Sequence, residues 1–92
     1  MANVINHVSI AGSVGTTEAS TAVNVKHIFL LKNTHASQTL TINFGALTTE
    51  AGAFVLNAGE QLENLPLACG TLYYKGSGST TTFKFLGEKG FA

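Results

Sequence analysis

Ninety-two residues are enough for one domain with a small core, and only 11% of them are charged, against about 25% in an average soluble domain. Five Lys balance five Glu, with no Arg and no Asp. That excludes a nucleic-acid binder, which needs a basic surface to neutralise phosphates. The single cysteine, Cys69, excludes an intrachain disulfide and any metal site built from Cys pairs.

In chain order, Met1 to His7 has no basic segment followed by an apolar run, so no signal peptide is expected. No stretch approaches the roughly 18 apolar residues that span a bilayer, so no membrane partner is expected either. Val4–Ile10 alternates weakly and predicts a first strand ended by Gly12, with 1–15 as an N-terminal strand or arm. Gly12–Thr21, rich in Gly, Ser and Thr, reads as a loop or short edge strand. Asn24–Lys32 is a strand: Val25, Ile28 and Phe29 are β-branched or aromatic, and no Gly or Pro interrupts it. Thr39–Phe44 alternates strictly, Leu40, Ile42 and Phe44 against Thr39, Thr41 and Asn43. The polar turn Asn33–Gln38 predicts a hairpin of these two strands.

Gly52–Asn57 is a short strand, and Asn57-Ala-Gly59 a turn, since Asn and Gly both tolerate positive φ. In Glu60–Leu65 the spacing of Leu62 and Leu65 allows one helical turn, but Pro66 stops anything longer, so a short edge strand is expected. Thr71–Lys75 is a strand between glycines. Gly76–Ser79 then predicts a hairpin with Thr80–Leu86, leaving a tail that carries Phe91. Seven or eight short strands and no helix-period segment predict an all-β single domain over 1–92. Its expected architecture is a small antiparallel β-sandwich or jelly-roll-like barrel.

No cofactor, metal or catalytic residue is expected. His7, His27 and His35 lack ligand spacing, and His27 reads as a half-buried strand residue. Glu60 and Glu63 could pair as carboxylates, but two glutamates flanking a turn are ordinarily just solvated, and no base with an orienting carboxylate accompanies them. The glycines of Gly12–Gly15 and Gly76–Gly78 lack phosphate-loop spacing. Tyr73 and Tyr74, adjacent on a strand, must face opposite ways: one into the core, the other to a second surface as an interface anchor or a platform for a sugar.

The Asn24–Lys32 strand is apolar on both sides, which in a helix-free domain calls for a covering layer. Phe29 and Leu31 are expected to face the interior. Ile28 and Leu30, with Tyr73, are expected at a subunit interface, so that Leu30→Glu would give folded protein unable to assemble. Charge depletion is itself a property of interface cores.

Four segments carry a resemblance covering about two-thirds of the chain: Lys26-His-Ile-Phe-Leu-Leu-Lys-Asn33, Gln38-Thr-Leu-Thr-Ile-Asn-Phe-Gly45, Phe54-Val-Leu-Asn-Ala-Gly-Glu-Gln-Leu62, and Gly70-Thr-Leu-Tyr-Tyr-Lys-Gly-Ser-Gly-Ser79. The pattern resembles small β-sandwich virion proteins of tailed bacteriophages, among them capsid decoration (cement) proteins. The resemblance implies a non-enzymatic structural protein on the capsid surface, made in the host cytoplasm. Its implied partners are the major capsid protein and copies of itself, as a homo-oligomer with a trimer favoured. The competing expectation is a tail or fibre module that binds host-surface carbohydrate through Tyr73 or Tyr74.

Overall fold

The computed structural model describes residues 7–90. They form seven antiparallel strands: β1 His7–Val14, β2 Ala19–Asn33, β3 Leu40–Phe44, β4 Phe54–Leu56, β5 Gln61–Leu65, β6 Cys69–Gly76 and β7 Thr81–Lys89. The strands follow one another in the order β1-β7-β2-β6-β3-β4, with β5 added to β2. The fold is a small all-β sandwich whose two layers share β2.

The sharing follows from the length and bend of β2. Its first half pairs with β6, from Ala19 opposite Tyr74 to Val25 opposite Cys69. Its second half lies between β7 and β5. The ladder shifts register between Ala22 and Val25, and there Asn24 takes φ 48°, a left-handed conformation that Asn tolerates better than most residues. One layer is therefore β1-β7-β2-β5 and the other β2-β6-β3-β4. Phe83 and Phe85 of β7, Ile28 and Leu31 of β2, Leu72 and Tyr74 of β6, and Leu40 and Ile42 of β3 fill the space between them. Strands β6 and β7 share no ladder, yet the Tyr74 and Phe83 rings meet with centroids 4.7 Å apart, a contact across the layers. Each fully buried Phe, Leu or Ile in that core contributes about 1.5–3 kcal/mol.

Both expected hairpins are absent. Strand β3 pairs with β6 and β4, and β7 pairs with β1 and β2. After Asn33 the chain crosses to the other layer. The buried Asn33 side chain fixes that crossing by donating to the carbonyls of Gln38 (2.7 Å) and Leu56 (3.0 Å) and accepting from the His35 amide (2.9 Å). At the second turn, the Gly76 amide donates to Gly15 O and the Ser77 amide to Thr39 O, so these donors join other segments instead of closing β6 onto β7.

Three further expectations are corrected. Gly12 does not end the first strand; β1 runs through it to Val14. The ring of Phe83 occupies the space beside Gly12, where a β-carbon would come within 2.9 Å of it. The expected loop over Gly12–Thr21 shrinks to residues 15–18, since β2 begins at Ala19. Residues 7–14 are thus a paired strand and not an arm, while Val4–Asn6 and the tail residue Phe91 lie outside the described residues.

The third correction concerns the two faces of β2. Ile28 is fully buried in the domain's own core together with Leu31, whereas Phe29 is 37% exposed. The partners of Ile28 and Leu30 on β7 are the consecutive residues Gly87 and Leu86, so Phe29 is an extra residue, a bulge. One inserted residue reverses the facing of everything on one side of it. Ile28 is therefore not a subunit-interface residue. A similar device shapes β5: Asn64 takes φ 50°, which lets Leu62 and Leu65, three apart, both pack on the core.

Candidate interaction surface

The titratable groups are dispersed and mostly occupied by local structure. His35 Nδ1 accepts from the amides of Ser37 and Gln38 and so shapes its own turn. Glu60 Oε1 accepts from the Asn57 amide across the predicted Asn57–Gly59 turn. Glu63 faces outward from β5 opposite Leu30. His27 is half-buried and packs on Phe29, their rings 4.9 Å apart. No group of three His, Cys, Asp or Glu residues that could hold a metal occurs among the described residues. Cys69 is buried beside a cavity of about 440 Å³ formed by Asn24–Lys26, Ala68–Gly70 and Gly90. Burial pushes its thiol up from the usual range, the opposite of what an activated nucleophile needs.

The two tyrosines divide as their adjacency requires. Tyr74 is buried, and its hydroxyl lies 2.7 Å from Thr21 Oγ1, so it offers no surface to a sugar. Tyr73 is half-buried on the outer side of β6, opposite Ser20 and Asn43.

That outer side is roofed by the chain itself. Residues 45–53 connect β3 to β4, and Asn43 Nδ2 donates to Leu47 O inside this loop. Thr48 reaches Glu18 in the β1–β2 turn, donating both its amide (2.8 Å) and its hydroxyl to the carboxylate. The hydroxyl bond first, then the amide bond and more weakly the charge of Lys75, hold Glu18 below the usual carboxylate range.

At the rim of this layer β4 is the last strand, and its outer edge has no partner among the described residues. Phe54 (50%) and Val55 (56%) are the most exposed large apolar side chains, with Leu47 nearly as open. Phe44 backs Phe54, ring centroids 6.0 Å apart. The sequence hid this cluster because Phe-Val-Leu between two turn signals reads as a buried strand, and only Leu56 is buried.

The other layer's outer face carries Leu30 opposite Leu86, Lys32 opposite Lys84, and His27 opposite Glu88. Leu30 stays half-buried and outward, as the sequence suggested. The residues expected at one interface are thus dispersed: Ile28 inside, Leu30 on this face, and Tyr73 on the other layer.

No family model, curated protein or solved structure matches this chain. The resemblance to virion proteins therefore rests on its sequence pattern.

Proposed function

We propose that the protein is a non-enzymatic structural subunit that binds a larger protein shell in many copies, in the manner of a capsid decoration protein on a phage head. The observation that carries this reading is the apolar free edge at β4, where Phe54, Val55 and Leu47 stand exposed on a chain with little charge elsewhere. An unpaired edge offers backbone donors and acceptors to a strand of the partner, and apolar side chains beside it add burial on contact. The partner in this reading is the major capsid protein, each copy bridging neighbouring shell subunits. The carbohydrate reading is weakened by the inward position of Tyr74, which leaves Tyr73 without a second aromatic platform beside it.

The test is fractionation of virus particles from cells producing the protein. Many copies per shell should co-sediment with capsids, and Val55→Glu should move the protein to the free fraction while its circular dichroism stays unchanged. Recovery of the unaltered protein in the free fraction alone would refute the capsid reading.

A further inference from the structure

We infer that the outer edge of β1 is a self-association site, where β1 of a second copy pairs antiparallel about a twofold axis and joins the two β1-β7-β2-β5 layers into one continuous sheet. The inference is independent of which shell the β4 edge binds. Strand β1 ends its layer, and over residues 9–13 its outer backbone groups have no partner among the described residues. Natural sheets blunt such an edge with charges, proline, bulges or shortness. Strand β5, at the opposite end of the same layer, has these devices: Glu63 stands within it, Asn64 takes φ 50°, and Pro66 follows at once. Strand β1 has none of them. Its eight residues include no Lys, Glu or Pro, and no bulge interrupts its register with β7 from His7 to Val14. One edge of the layer is closed to pairing and the other is left open to it.

A second copy is the partner that fits this edge. A twofold that sets two β1 strands side by side runs perpendicular to the sheet, so inward residues meet inward residues and outward ones meet outward ones. With the axis at Ala11, Ser9 faces Ser13 of the second copy and Ala11 faces its own equivalent. These are small, neutral and exposed side chains that neither clash nor repel. On the inner side Ile10, only partly buried in the monomer, comes opposite Gly12 of the second copy. There the Phe83 ring already occupies the space that a side chain would take, and it gives Ile10 an apolar neighbour. Five Lys balance five Glu, so two copies approach without net repulsion. The pairing is also self-limiting. It consumes both open β1 edges, and the joined sheet then ends on β5 at each side, the edge that Glu63, Asn64 and Pro66 protect. An isologous contact of this kind closes at two copies, in place of the trimer that the resemblance implies.

Sedimentation velocity over a range of concentrations tests this with two variants, Ala11→Glu and Ala11→Lys. The unaltered chain should show a monomer–dimer equilibrium. Ala11→Glu suits the monomer, since position 11 lies opposite Lys84 on β7, but it sets two carboxylates against each other at the axis. It should raise the dissociation constant about tenfold or more. An equimolar mixture with Ala11→Lys should dimerise again, because the carboxylate introduced at position 11 of one copy then meets the ammonium introduced at position 11 of the other. Amide exchange locates the contact in the unaltered chain: protection of residues 9–13 should rise with protein concentration, while that of Gln61–Leu65 stays constant. A chain that stays monomeric up to about 1 mM would overturn the inference. So would an Ala11→Glu variant that dimerises as well as the original, a mixture that fails to recover, a dimer that leaves exchange in residues 9–13 unchanged, or a stoichiometry other than two. Thermal melts by circular dichroism check that the variants are folded, and where one is not, the exchange measurement decides. If the β4 edge binds no shell, these outcomes are unaffected.

Discussion

The two layers treat their outer surfaces differently. Over β2-β6-β3-β4 the chain lays its own loop, residues 45–53, and fastens it to the far turn through Thr48 and Glu18. Over β1-β7-β2-β5 no loop among the described residues covers Leu30, Leu86 and the two facing lysines in this way. Both layers contribute fully buried side chains to the same core, so the difference is not one of core quality. It concerns where the chain places its few non-strand residues. A domain this small has few residues to spare for covering both sheets.

The sharpest way to break the comparison is inside the shared core. Ile28→Ala should cost about 2–5 kcal/mol in urea unfolding, because it opens a cavity that both layers line. Leu30→Glu, two residues away and outward, should cost much less in the same titration, chiefly through repulsion with Glu63 across the β2–β5 ladder. Equal unfolding by the two changes would mean that Leu30 belongs to the core after all. Asn33→Ala comes next. It orphans the buried carbonyl of Leu56 and the part-buried one of Gln38, and should cost about 1–3 kcal/mol for the buried group left unpaired, read by the same titration.

The smallest effect is confined to the roof. Thr48→Val should quicken amide exchange in residues 45–53 severalfold while leaving β7 protection intact. Acid should act in the same sense. The folded protein holds Glu18 below its ordinary range, so its contribution is present above the unfolded value and is lost as pH falls through the lowered folded one. The roof should therefore loosen only in acid below the ordinary glutamate range, and exchange as a function of pH would register it. An acid-insensitive loop would mean that the Glu18 bonds do not hold it.

Much of the fold could be read from residue patterns. Strand positions followed alternation and turn chemistry, and Pro66 rightly outweighed the helical spacing of Leu62 and Leu65. Pairing could not be read. A turn signal such as Gly76-Ser-Gly-Ser79 specifies a change of direction, and the hydrogen bonds of Gly76 and Ser77 to remote segments decide that the flanking strands part. The facing of β2 was hidden for a related reason. Phe29 is a good strand residue, and nothing local marks it as the surplus one in a ladder with β7. Gly12 misled because its role is to admit the Phe83 ring, a neighbour that only the register reveals. The outward facing of Leu30 and of one of the two adjacent tyrosines was legible. The cross-strand meeting of Lys32 and Lys84 was not, because it depends on pairing between strands far apart in the chain.

The pairing of β1 with β7 has a consequence for biosynthesis. Among the described strands His7–Val14 is made first and its partner Thr81–Lys89 last. In the interval β1 is a charge-free segment with a bare backbone, and every ladder on β2 likewise awaits residues from Gln61 onward. The layer of β1, β7, β2 and β5 cannot close until Lys89 has been made, and contacts so far apart in the sequence slow folding. A chain cut short before Thr81 would retain β1 as an open, sticky edge.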